Sequence, residues 1–315
     1  MPGTNFKNGV YSWGLPVGLA EGVGNPLGKT FFVQSTHSSA NDNNSGERAE
    51  RPLATLQAAE NKVTASAYDR IYVLPGHAET YAAAAALVFN VAGVEVIGIG
   101  RGTLMPRFTF ATEVLTDIDI DAANVILRNL HFRGNIAALA APIDVNAAGF
   151  IMEDCKFTAA GATTDFDITV ITDAAAEDMA IRRCRFLLEY SDAAAGVILS
   201  NTMTEVIRLV GVDRAIIEDC ELYGNFTTAA INAVTTACRD IRISRNKIRN
   251  VQTTNIAGII DLVAGCTGVV DENVGFHGYT TDLATTIDPA SCAMIRNYFS
   301  NVVTEAGGLV GTAST

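Results

Sequence analysis

From about residue 125 the chain repeats one short spelling of apolar and polar positions. The copies are 125–132 (VILRNLHF), 150–157 (FIMEDCKF), 179–186 (MAIRRCRF), 215–222 (AIIEDCEL), 241–248 (IRISRNKI), 268–275 (GVVDENVG) and 291–299 (SCAMIRNYF). Each reads apolar, any, apolar, two mostly polar residues, one special residue, any residue, and usually a large apolar one. The special column is Leu130, Cys155, Cys184, Cys220, Asn246, Asn273 and Asn297, at steps of 25, 29, 36, 26, 27 and 24 residues. A repeat of this length, spelled like a strand, predicts a solenoid and not a layered globule.

One coil of a parallel β-helix needs three short strands and three turns, roughly two dozen residues or more. Coils then stack about 4.8 Å apart, and equivalent residues lie above one another. The two apolar positions point inward with period two. A column Cys is a small buried hydrophobe. A column Asn passes amide hydrogen bonds from coil to coil. The later apolar position (Phe132, Phe157, Phe186, Leu222, Ile248, Phe299) forms a second inward stack, and Gly275 breaks it, which suggests a thinner or bent coil. The expected fold is all-β, a right-handed single-stranded parallel β-helix of about eight to ten coils over residues 71–302, with a tail at 303–315.

The pattern before the repeat differs. Residues 1–30 carry Gly and Pro at a density that forbids a long helix or a central strand. They also carry Phe6, Tyr11, Trp13 and Leu15, so the segment reads as an extended arm with apolar anchors. It either docks on a partner or folds back as a cap. Residues 31–70 read as a strand (TFFVQS), a polar loop and a capping helix opened by Pro52, with Leu53, Leu56 and Val63 on one face. The loop SSANDNNSGERAER lacks EF-hand spacing and reads as a solvated turn.

Two resemblances become specific here. The order FFV, Asp/Asn/Gly loop, RPLATLQAA, RIYVLPGHAETY and VEVIGIGRG, followed by the repeat, resembles right-handed parallel β-helix proteins of the pectate-lyase-like superfamily. It covers roughly residues 30–300 and is diagnostic of fold more than activity. The words NFKNGVYSWGLPV resemble the N-termini of tailed-bacteriophage virion proteins, with Lys7 where Pro is usual. That resemblance implies a virion structural protein, a capsid decoration or head-fibre component docking through its arm on the major capsid protein or another virion protein. It also implies a homotrimer, assembled in the host cytoplasm.

Composition narrows the chemistry. Net charge is −12 and no basic stripe is expected, which argues against a nucleic-acid partner. No apolar run approaches a membrane span, and the N-terminus lacks the spelling of a signal peptide. The six Cys follow the coil period, with Cys238, Cys266 and Cys292 near later strand starts, so reduced thiols are expected. No metal or cofactor motif is present.

Candidate chemistry lies in carboxylates. TDIDIDAANVIL places Asp117, Asp119 and Asp121 on one outer strand face. One coil later PIDVNAAGFIM sets Asp144 beside Asp119, and Asp173 aligns with either Asp144 or Asn146. Paired carboxylates serve glycoside cleavage. Calcium-assisted lyases of the resembled fold add an Arg, for which Arg208 and Arg128 are candidates. The plainer reading, a solvated outer face with Asx residues ending strands, is the one adopted. The chain is expected not to be an enzyme, and a tailspike-like carbohydrate-binding or polysaccharide-cleaving protein is the alternative. His131 falls in an outward slot and reads as a surface residue.

Overall fold

In the computed structural model the described residues are 28–161, 166–188, 202–252, 258–278 and 286–300, with the backbone of a few short strands beyond them. The first parallel sheet has ten strands, from Thr30–Val33 to Ala293–Ile295. Each coil then passes through a second sheet (Ala78–Tyr81 through Tyr298–Asn301) and a third (Leu87–Phe89 through Ile287–Asp288). Glu221–Ala233 is one 13-residue strand that crosses from the second sheet to the third. This is an all-β parallel solenoid with almost no helix.

The turn between the first and second sheets explains the two polar residues of the repeat. The residue before each column position is left-handed: Asn129 (φ 54), Asp154 (φ 56), Arg183 (φ 51), Asp219 (φ 57), Arg245 (φ 56), Glu272 (φ 55) and Arg296 (φ 50). For a residue with a Cβ this conformation costs about 1–2 kcal/mol. It reverses the side-chain direction in one step, so the next residue points inward. All seven column residues are buried.

Inside, the stacking is direct. Asn246 donates its backbone N–H and its amide to Asn273 Oδ1, both at 3.0 Å, and Asn273 does the same to Asn297 Oδ1 at 3.0 Å. Cys220 N–H donates to Asn246 Oδ1 at 3.0 Å. The thiols of Cys155, Cys184 and Cys220 reach backbone carbonyls, and all six cysteines are free and buried. The Phe stack continues beside them, with ring centroids 4.9 Å apart for Phe132–Phe157 and 4.7 Å for Phe157–Phe186.

Two expectations need correction. Gly275 does not thin its coil. It stands in register between Ile248 and Phe299, and a Cβ there would come within 2.2 Å of Ile248 O and 2.7 Å of the Phe299 ring. The coil keeps its width because the next ring fills the space. The capping helix does not start at Pro52 and is one short turn, Leu56–Glu60, with Thr55 accepting from Ala58 N–H as N-cap. Leu53 is held instead in a bridge to Val33, and Ser66 and Tyr68 take positive φ, so the apolar period 53–63 does not make a continuous helix. On the second sheet Asn250 is buried as well, and its Oδ1 accepts from Phe226 and Gln252 N–H.

The short helix still closes the open end. Gln57 Oε1 accepts from Val88 N–H at 2.9 Å and Glu60 Oε1 from Asn90 N–H at 3.1 Å, so its side chains satisfy the edge strand that no earlier coil covers. Glu79 Oε2 accepts from Leu56 N–H and holds the helix start. The polar loop bonds to itself and to the helix entry through Asp42, which accepts from Ala54 and Thr55 N–H.

Candidate functional site

Strand Ile118–Ile120 buries its two isoleucines and turns Asp119 outward between them. The next strand, Ile143–Val145, repeats this with Asp144, and the register pairs Asp119 with Asp144. One coil on, Asp144 is paired with Ile171 and Val145 with Thr172, so Asp173 aligns with Asn146 and not with Asp144. Asn146 donates to Asp121 at 3.0 Å, and Asp173 accepts from Ala175 N–H two residues on, as strand-ending Asx residues do. Asp117 accepts from Ala85 N–H. The sequence candidates therefore divide: Asp119 and Asp144 form an outward pair, while Asp117, Asp121 and Asp173 are engaged in turns around it.

The pair is electrostatically unfavourable. Partial burial, then Asp117, Asp121 and Asp144, push the Asp119 carboxyl up to about 6. Burial raises Asp144 as well, opposed by its contact with Asn146 and reinforced by the neighbouring carboxylates. Among the described residues no Lys or Arg forms an ion pair with either one.

The two arginines proposed beside them are committed elsewhere. Arg208 clamps Glu205 through two bonds, 2.7 and 3.0 Å, and the Glu205 side chain is 2% exposed. Glu205 also accepts from Asn232 at 2.7 Å. Arg208 lies in the same outward row as Asp144, but Ile171 separates them. Arg128 sits on the first sheet between Glu95 (3.4 Å) and Glu153 (3.3 Å). The chemistry this site offers is a pair of outward carboxylates, with Asp119 held up to about 6 and Asp144 raised as well, and neither Arg208 nor Arg128 answers them.

Sequence reasoning missed a second feature. On the second sheet the register stacks Arg107, His131, Lys156 and Arg185 as consecutive outward rungs. Arg133 lies beside His131. The signal was present as spacings of 24, 25 and 29 residues. It was hidden because a row of single cations in separate coils makes no local run of charge. His131 is half-buried in this row and contacts Thr158 Oγ1 at 2.8 Å. Burial and the charges of Lys156, Arg107 and Arg133 push its imidazole down to about 4, so it is neutral at pH 7. The row runs between two grooves of about 400 and 850 Å³, one shared with His77 and Arg107, the other with Arg128 and Arg183. The arm residues Phe6, Tyr11, Trp13 and Leu15 lie outside the described residues.

No known sequence family and no curated protein matches the chain. Among solved structures it is similar to a rhamnogalacturonan lyase, with 13% identity, a TM-score of 0.50, and 86% of this chain and 87% of that one covered. It is also similar to the pectate lyase Pel9A, with 12% identity, a TM-score of 0.46, and 88% and 78% covered. The likeness to the rhamnogalacturonan lyase shows the solenoid fold and nothing finer.

Proposed function

We propose that the chain is a non-catalytic structural subunit of a bacteriophage particle, a decoration or head-fibre component that self-associates and docks through its N-terminal segment on the capsid or another virion protein. The reading is supported by the N-terminal words NFKNGVYSWGLPV and by a framework whose charges are largely spent on coil-to-coil pairing. The structural observation that carries it is the state of Arg208. The calcium-assisted lyases that the fold resembles set an Arg beside their carboxylates, and here Arg208, the candidate for that place, is clamped on buried Glu205. The test is co-purification with intact particles from an infected culture. Full-length protein should stay with the particle through density-gradient separation, and Trp13→Ala should reduce attachment while leaving the melting temperature of the free protein unchanged. Protein found only in the free fraction would overturn the reading.

A second reading is favoured by the outward Asp119–Asp144 pair and by the names of the two similar structures: recognition or cleavage of a polysaccharide. Its mark would be degradation of an acidic polysaccharide by the wild type, abolished in Asp119→Asn with Asp144→Asn. The structural reading expects that double variant to assemble normally and expects no degradation to lose.

A further inference from the structure

The cationic face of the second sheet has no part in the function proposed above. Its core is a block of outward residues on three consecutive strands. The register sets Arg107, His131 and Lys156 in one row, and Thr109, Arg133 and Thr158 in the row beside it. Between the rows the chain turns Phe108, Phe132 and Phe157 inward, where their buried rings anchor the three strands. The block holds three full cations, two hydroxyls and one imidazole, and no carboxylate. In a chain of net charge −12 this is a local reversal of sign. It ends one coil later, where Glu221 answers Arg185 at 2.6 Å.

The cations of the block are not answered within the chain. Among the described residues Arg107 and Lys156 form no ion pair and no side-chain hydrogen bond, and Arg133 reaches the Ala160 carbonyl at 3.4 Å. On the first sheet, by contrast, Arg128 and Arg182 sit against glutamates at 3.3 and 2.9 Å. The imidazole between them registers this field: after burial, Lys156, Arg107 and Arg133 each lower it. The neutral ring spaces Arg107 and Lys156 two rungs apart, about 10 Å at sheet spacing. Gly102, Thr103 and Met105 wall a groove of about 400 Å³ along this row, and Arg107, His131 and Lys156 line it.

The donors of the block approach from several directions: two guanidinium forks, one ammonium and two hydroxyls. A carboxylate offers two oxygens in one plane. A sulfate or phosphate ester offers three oxygens around a tetrahedral centre, and Arg pairs with it bidentately. Charge spacing favours a glycan over a nucleic acid. A nucleic-acid strand carries a charge about every 3.4 Å, so most of its charge would lie beyond so short a block, against an acidic chain. The block also presents no Phe, Tyr or Trp on which bases could stack. In a glycan, sugars separate the ester charges and leave hydroxyls to meet the threonines.

We propose that this block binds a glycan bearing sulfate or phosphate esters, laid along the solenoid with its anions on Arg107, Arg133 and Lys156. The site goes beyond the particle reading and does not depend on it. It is also separate from the Asp119–Asp144 pair, which lies on the third sheet.

The experiment titrates purified full-length protein with dextran sulfate, phosphomannan, polygalacturonate, neutral dextran and single-stranded DNA, by calorimetry and by NMR of the His131 imidazole. Dextran sulfate or phosphomannan should bind most tightly; the first alone identifies a sulfate ester, the second alone a phosphate ester, and either supports the proposal. The bound anion should raise the His131 imidazole from about 4 toward its ordinary value. Arg107→Gln with Lys156→Gln should weaken binding by about tenfold or more while keeping the circular dichroism of the wild type. Arg48→Gln, which removes an exposed cation of the polar loop, should leave binding unchanged. Binding that the double variant does not weaken, polygalacturonate or DNA bound as tightly as either ester, or a His131 imidazole unmoved at saturation would overturn the proposal.

Discussion

The first sheet and the third sheet handle charge in opposite ways on the same scaffold. Along the first sheet the signs alternate: Glu95 lies between Arg70 (2.8 Å) and Arg128 (3.4 Å), Glu153 between Arg128 (3.3 Å) and Arg182 (3.6 Å), and Glu218 between Arg182 and Arg245 (2.9 Å each). The left-handed turn beside it continues the scheme, with Arg183 on Asp154 and Arg245 on Asp219. Along the third sheet Asp119 is followed by Asp144, with Asp117 and Asp121 close by. A solenoid repeats any choice at sheet spacing, so a sign is either answered one rung away or repelled there. Two like charges at 4 Å interact by about 1 kcal/mol in water and several-fold more near a protein surface. An unanswered row therefore carries a standing cost within the chain, and it marks the face where an outside partner lowers the energy most.

That contrast can be broken at its foundation, in the core that both sheets share. Asn273→Leu removes the acceptor of the buried Asn246 N–H and the side-chain donor to Ile243 O, and leaves the Asn246 amide with Ile217 O alone. The expected loss is about 3 kcal/mol or more, read as a lower urea midpoint. A neutral outcome would mean the Asn column does not hold the coils. On the first sheet, Glu153→Gln strips the charge that Arg128, Arg182 and Arg183 share. The cost should be about 1 kcal/mol, since the arginines remain partly solvated, and should shrink at high salt.

The smallest effect belongs to the third sheet and has the opposite sign. The Asp119 carboxyl is held up to about 6 in the folded chain, above its ordinary 3.8. The folded state thus binds its proton more tightly than the unfolded chain does. Stability contributed by the protonated form is full below pH 3.8 and is lost as pH rises to about 6. In the separated chain, Asp119→Asn should therefore raise stability at pH 7 by about 0.5–1 kcal/mol after allowance for solvent screening. The gain should vanish near pH 3.5. Loss of stability at pH 7 would show that a cation already answers Asp119 within the chain.

The sequence made the solenoid, the inward column and the Phe stack legible, because period and burial are both one-dimensional signals. The Asp119–Asp144 pair was legible too, since the strands around it align without insertions. Asp173 was ambiguous because its register depends on where the longer turn after residue 159 inserts, and only the pairing of Val145 with Thr172 resolves it. The helix was over-extended because Leu53, Leu56 and Val63 satisfy a helical period while Leu53 is taken by a strand bridge. The cationic row and the Glu205 clamp on Arg208 escaped notice. Each joins residues whose relation is set by coil height and by rotamer, and neither quantity is spelled locally.

The most direct measurement is the titration of the Asp119 carboxyl by carbon NMR, in the wild type and in Asp117→Asn. In the wild type the carboxyl should titrate near 6. In the variant it should fall part of the way toward the ordinary carboxylate range, because Asp117 is the first of the neighbouring charges that hold it up. An ordinary value in the wild type would contradict the claim that the third sheet leaves its carboxylates unanswered.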